Sequence, residues 1–148
     1  MILNKNNIEI KDPINQLILY GYKNYMDSLV KLYSNKKLPN VMLIYGPKGI
    51  GKSTFIYHFI NYILSLKEKH KYVIDDLSIN PENNTYQKIC NNIHPNFFLL
   101  DVKSNEENIK IDQVRNLINF TNKSTYLEDK KIIMINNAEL LNLNSSNA

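Results

Sequence analysis

The sequence predicts an α/β fold in which a parallel sheet is flanked by helices. Three runs rich in apolar residues, 41–45, 97–102 and 130–137, are typical of strands that are covered on both faces. Segments with apolar residues at helical spacing separate these runs, and the first run leads directly into a glycine-rich loop. Parallel strands joined by helices are expected to use right-handed crossovers.

Two helices are predicted on either side of the loop, the first over residues 21–35 and the second from the loop to about Leu66. The face of the first helix is defined by Tyr22, Met26, Leu29, Val30 and Tyr33. The face of the second is defined by Phe55, Ile56, Phe59, Ile60, Ile63 and Leu64. Each helix is therefore expected to bury one face.

The second half of the chain repeats the alternation of strand and helix. Residues 67–96 are polar and rich in asparagine, which predicts a surface excursion with a short helix near residues 85–92. The runs 97–102 and 130–137 are expected to be buried strands. Between them, a helix is expected to begin near Asp112, which is an acceptable N-cap.

The loop between the first strand and the second helix matches the pattern G-x-x-x-x-G-K-S in full, from Gly46 to Ser53. A chain that wraps a phosphate turns successive backbone N–H groups inward, and glycines permit that curvature. The residues predicted to hold ATP are Gly46, Pro47, Lys48, Gly49, Ile50, Gly51, Lys52, Ser53 and Thr54. Lys52 is expected to neutralise phosphate oxygens, and the Ser53 hydroxyl to bind the Mg²⁺ that accompanies the nucleotide.

Bulk composition excludes several classes of protein. The chain has 148 residues, which suits about one domain, and its net charge of +4 permits a nucleic-acid partner without demonstrating one. Cys90 is the single cysteine, so neither a disulfide framework nor a cysteine-rich zinc site is expected. No run approaches the length of about 18 apolar residues that a membrane span needs, and we expect a cytoplasmic protein.

Three further segments, HPNFFLLD, IKIDQVRNLINF and KKIIMINNAELLNLNSSNA, follow the loop in this order. Together with the loop, these segments resemble the delta-prime subunits of bacterial DNA polymerase III clamp loaders, which are members of the AAA+ ATPases. The resemblance runs from about Leu19 to Ala148. The phosphate loop alone suits many NTPases, whereas the His-Pro pair, the segment from Ile111 to Arg115 and the Asn-Ala pair at the end are more discriminating.

The resemblance implies a subunit of a five-part machine that opens a ring clamp and closes it on primed DNA. It implies other clamp-loader subunits as partners, primed DNA bound through the complex, and no membrane. Residues 1–20 are expected to be an N-terminal segment, and 21–148 an incomplete AAA+ (RecA-like) P-loop domain that lacks the later strands and the lid. We expect such a chain to aggregate in isolation. Some relatives carry a zinc-binding cysteine cluster, and Cys90 alone predicts no zinc here.

The chain departs from the AAA+ pattern at the end of its last predicted strand. The resemblance implies an Asp that orients Mg²⁺ and a Glu that polarises the attacking water, but these positions hold Asn136 and Asn137. An amide carries no charge to balance Mg²⁺ and is no general base near neutral pH. We therefore expect the loop to bind ATP and the protein to hydrolyse it weakly or not at all. We expect no catalytic residue in this chain, and Asn136 to be at most a poor metal ligand.

The alternative is an active P-loop enzyme, either a motor ATPase or a small-molecule phosphotransferase. A phosphotransferase is expected to carry several arginines around the transferred phosphate, and Arg115 is the single arginine of the chain. That favours the clamp-loader subunit. Nucleotide turnover would distinguish the two functions.

Overall fold

The computed structural model describes residues 11–104, 106–125 and 130–142. They form two compact units, Met1–Tyr86 and Gln87–Ala148. The helices and strands are α1 (Lys23–Ser34), α2 (Lys52–Leu64), α3 (Asn84–Cys90), β1 (Phe97–Leu100), α4 (Ile111–Asn122) and β2 (Ile132–Ile135). The order of helices and the parallel pairing of β1 with β2 confirm the predicted α/β class.

The first unit is built around α2. Both α1 and a short 3-10 helix, Pro13–Asn15, pack against it. The prediction that α2 buries a single face is wrong, because Tyr57, His58 and Asn61 are buried together with the predicted apolar positions. In α1, Met26 is fully buried and the other residues of the predicted face are half-buried, so that face is confirmed.

The polar segment after α2 is a part of the first unit's core and not the predicted surface excursion. Tyr72, Leu77 and Ile79 are all buried. The backbone of this segment pairs with the chain that precedes α1, since the N–H of Leu19 donates to the carbonyl of Leu77 at 3.0 Å and that of Ile79 to the carbonyl of Leu17 at 2.8 Å. A few apolar residues among many asparagines therefore suffice to anchor the segment.

The predicted strand at residues 41–45 is not formed. No strand pairing among the described residues includes these five positions, and all are exposed. The exposed fractions of Val41, Leu43 and Tyr45 are 88%, 81% and 86%. A buried strand satisfies its backbone N–H and C=O groups on a neighbouring strand, so without such a partner an apolar sequence is not sufficient.

The second unit contains the parallel pair, in a register that places Phe97 opposite Ile132 and Leu100 opposite Ile135. The helix α4 packs against β1. The core of this unit consists of Leu100, Ile109 and Val114, with Phe98, Val102, Leu117 and Leu141 packed against it.

The strand β2 is less covered than its composition predicts. Met134 is buried, but Ile133 and Ile135 are 38% and 44% exposed, so burial on both faces is wrong for this strand. The N-cap of α4 also lies two residues before the predicted N-cap, Asp112. Its N-cap is Lys110, whose backbone N–H donates to Oε1 of Gln113 at 3.0 Å, and Asp112 lies in the first turn.

Candidate nucleotide-binding loop and amide pair

The loop before α2 has the backbone geometry that its glycines allow. Gly46, Gly49 and Gly51 have φ angles of 148°, 86° and 86°, a region in which residues with a Cβ are disfavoured. A Cβ at Gly46 would also lie 3.2 Å from Cδ1 of Ile50, closer than side chains normally approach. Three of the four glycines of the chain are thus required by the course of this one loop.

Lys52 lies across the loop that precedes it. Its ammonium donates to the carbonyl oxygens of Gly46 at 2.9 Å and Pro47 at 2.7 Å. Since an ammonium has three N–H donors, Lys52 can donate its third hydrogen bond to a phosphate oxygen while both contacts with the loop persist. The positive charge is therefore held beside the glycines.

The loop ends at the N-terminus of α2, where Gly51 is the N-cap and provides no side-chain hydrogen bond to the helix. The first N–H groups of a helix have no partner within the helix, and the helix dipole adds partial positive charge at this end. Ser53 and Thr54 lie in the first turn and are half-buried. Backbone N–H groups, an ammonium and hydroxyls form a donor set that fits a polyphosphate with Mg²⁺.

An aromatic side chain contacts this loop, which the motif did not predict. The hydroxyl of Tyr22 donates to the carbonyl of Ile50 at 2.6 Å. Its ring stacks on Phe55 of α2, with centroids 4.9 Å apart and planes 15° apart. The apolar face of α1 identified Tyr22 as a packing residue, but a contact between residues 28 positions apart was not foreseeable from the spacing.

The amide pair lies in the second unit, directly after β2. Asn136 and Asn137 donate from their side-chain amides to the two carboxylate oxygens of Asp101, at 2.8 Å and 2.9 Å. Asp101 follows β1 and also accepts the backbone N–H of Val102 at 2.8 Å. The Nε2 of Gln113 donates to the backbone carbonyl of Asp101 at 2.7 Å. One carboxylate thus organises this edge of the sheet, and sequence reasoning had assigned it no role.

Asn137 adopts a left-handed backbone conformation with φ of 52°, which asparagine tolerates better than most residues. The next acidic residue, Glu139, is exposed in a 3-10 helix, Ala138–Leu140. Arg115 forms an ion pair with Asp112 on the exposed side of α4, with a nitrogen–oxygen distance of 3.1 Å. In the part of the chain that the structure describes, no cluster of three or more His, Cys, Asp or Glu side chains could hold a metal ion.

His58 is fully buried in the middle of α2, and both of its ring nitrogens have partners within the protein. Its Nε2 lies 3.1 Å from the carbonyl of Gln16 and its Nδ1 lies 2.9 Å from the hydroxyl of Tyr72. Because a carbonyl can only accept, Nε2 carries the proton and Nδ1 accepts from Tyr72. Burial lowers the pKa of His58 to about 4, against a smaller raising effect of the Gln16 hydrogen bond, and burial also raises the pKa of Tyr72.

The described structure defines the class as a small α/β protein with parallel strands and a glycine-rich loop at the start of a buried helix. The chain belongs to the family described as "DNA polymerase III, delta subunit", whose sequence model matches residues 21–148. It is 30% identical over 106 residues to the DNA polymerase III subunit delta' of Pseudomonas aeruginosa. The match covers 72% of this chain and 30% of that relative. The resemblance to delta-prime subunits is thereby confirmed.

None of the helices that the structure describes combines the length and the apolar character required to cross a membrane.

Proposed function

We propose that this chain is the nucleotide-binding part of a clamp-loader subunit, and that it binds ATP with Mg²⁺ at the loop Gly46–Thr54. The observation that carries the proposal is the loop itself, with three glycines at positive φ immediately before the N-terminus of α2 and with Lys52 across it. The donors of this loop suit a polyphosphate, because several N–H groups and one cation lie on a short arc of backbone.

The cellular role rests on the family and on the name of the Pseudomonas relative. The protein helps to load the sliding clamp on primed DNA as one subunit of a hetero-oligomeric loader of the bacterial replicative polymerase. It meets DNA through that complex and works in the cytoplasm. It uses no zinc, because Cys90 is its single cysteine.

Hydrolysis by this subunit is weak or absent. Neither Asn136 nor Asn137 is a base, and both amides are engaged with Asp101. General-base assistance contributes about 10²- to 10⁴-fold to a rate, so its loss alone could bring turnover below detection. Any stimulation would need an arginine from a neighbouring subunit at the γ-phosphate.

Titration calorimetry with Mg-ATP, on the wild type and Lys52→Ala, tests the proposed site. A charge-assisted contact is worth about 1.5–3 kcal/mol, which predicts about a ten- to hundredfold loss of affinity. Lys31→Ala, which removes an exposed lysine of α1, is the matched control and should bind like the wild type. Equal affinity of the wild type and Lys52→Ala would reject the site. Phosphate release at saturating ATP that depends on Lys52 would instead assign the alternative, an active P-loop enzyme.

A further inference from the structure

We infer that Tyr22 is a positioning residue of the nucleotide loop, which sets the direction of the Ile50–Gly51 peptide and so presents the N–H of Gly51 to a bound phosphate. This inference rests on the proposed nucleotide site. The contact that carries it is the 2.6 Å hydrogen bond from the Tyr22 hydroxyl to the Ile50 carbonyl.

A trans peptide is planar, and its C=O and N–H groups point in opposite directions. Because the carbonyl of Ile50 is directed at Tyr22, the N–H of Gly51 in the same peptide is directed away from it. Because Gly51 has no Cβ, the Ile50–Gly51 peptide could also adopt the flipped orientation, in which its C=O and N–H groups exchange directions. The hydroxyl of Tyr22 selects the orientation in which the carbonyl of Ile50 faces it.

Tyr22 is itself held in place from three sides. Its ring stacks on the buried Phe55, and Tyr25 lies 6.0 Å from it between ring centroids. Its backbone carbonyl accepts the N–H of Met26, which is fully buried in α1. The hydroxyl therefore projects from a packed ring at a fixed place.

The same contact reaches both ends of the loop. A Cβ built on Gly51 would lie 3.6 Å from the Tyr22 ring, an ordinary van der Waals contact, so the ring covers the last glycine closely. At the other end, the Ile50 side chain covers Gly46. The residue whose carbonyl Tyr22 holds is therefore also the residue whose side chain lies next to the first glycine.

The variant Tyr22→Phe keeps the stacked ring and removes only the hydroxyl. The matched control is Tyr25→Phe, which removes the hydroxyl of a neighbouring tyrosine that is 66% exposed. Labelling with ¹⁵N-glycine gives amide signals for Gly21, Gly46, Gly49 and Gly51, so three of the four report on the loop. Without nucleotide, Tyr22→Phe should shift or broaden the Gly51 signal, whereas Tyr25→Phe should leave it unchanged.

The affinity for Mg-ATP should fall by about two- to tenfold in Tyr22→Phe, as expected for one neutral hydrogen bond, and stay constant in Tyr25→Phe. A role in stability alone would not change the affinity of the molecules that remain folded. An unchanged Gly51 signal together with unchanged affinity would overturn the inference. If the wild type binds no ATP, the proposed function fails, and the Gly51 signal alone decides whether Tyr22 orders the loop.

Discussion

The contact between Asp101 and the amide pair predicts that an acid cannot simply be restored at position 136. In Asn136→Asp, a carboxylate oxygen replaces the amide nitrogen that now lies 2.8 Å from Oδ2 of Asp101. Two unit charges about 4 Å apart repel by about 1 kcal/mol in water and about 4 kcal/mol at an effective dielectric constant of 20. Asp101 and Asn136 are both half-buried, so we expect a cost of about 1–4 kcal/mol at pH 7 between these limits.

Urea unfolding of the single and double variants measures this cost. Asn136→Asp should be destabilised at pH 7, and adding Asp101→Asn should recover most of the loss, because the two positions then exchange donor and acceptor. Asn137→Asp is the graded control. It faces the other oxygen of Asp101 at 2.9 Å but is exposed, so solvent should screen the repulsion and the cost should be smaller.

The pH dependence provides an independent test of the same contact. Repulsion raises the pKa of the carboxyl introduced by Asn136→Asp in the folded state above its unfolded value. The penalty is therefore absent below the unfolded pKa, near 3.9 for an aspartate, and it grows as the pH rises through the folded pKa. Additive effects of Asp101→Asn and Asn136→Asp, with no pH dependence, would refute the contact.

This result would also change how catalysis is tested. Replacing Asn136 and Asn137 by Asp and Glu should raise turnover only when the charge of Asp101 is removed as well, and when a neighbouring subunit supplies its arginine. At Asn137 the backbone adds a second obstacle, because its φ of 52° suits asparagine better than glutamate. The double variant Asn136→Asp/Asn137→Glu and the triple variant that adds Asp101→Asn should be compared by phosphate release. A higher rate in the triple variant would show that the charge of Asp101 is an obstacle to turnover.

Three further predictions concern the first unit. The pKa of His58 is about 4 in the folded state against an ordinary value of 6.5, so its contribution to the free energy of unfolding is complete above pH 6.5. This contribution is lost as the pH falls towards 4, by about 2 kcal/mol at pH 5. In His58→Gln this loss should be absent from urea-unfolding data, and equal losses in the wild type and the variant would show that His58 is not their cause. Met26→Ala removes a fully buried side chain and should cost about 2–5 kcal/mol in the same assay, far more than Leu32→Ala at a position that is 37% exposed. Thr85→Val removes a buried hydroxyl that donates to Oε1 of Glu68 at 2.7 Å and, at 3.4 Å, to the carbonyl of Leu64, and it should lower the thermal midpoint. In a Glu68→Ala background, the same substitution should lower the midpoint by less.

Helices and the glycine loop could be predicted from the sequence because their causes are local. The spacing of Met26, Leu29 and Val30 on α1 is a property of one short segment, and so are the positive φ angles that the loop glycines permit. The run 41–45 has the composition of a buried strand, but a strand depends on partners elsewhere in the chain. No local pattern contains that information, and the prediction of this strand was wrong for that reason.

The contacts of Asp101 lay in the sequence in a form that could have been used. Its carboxylate meets Asn136 and Asn137 across 35 and 36 positions, a separation that no periodicity connects. Yet each of the three residues lies at the carboxyl end of a predicted strand, 97–102 or 130–137, and the carboxyl ends of neighbouring parallel strands lie at the same edge of a sheet. Once the strands were assigned, pairing their ends would have placed the acid beside the amides. It would also have shown that this edge of the sheet has one carboxylate, that of Asp101 after β1. The resemblance implies two acids after β2, where this chain has Asn136 and Asn137.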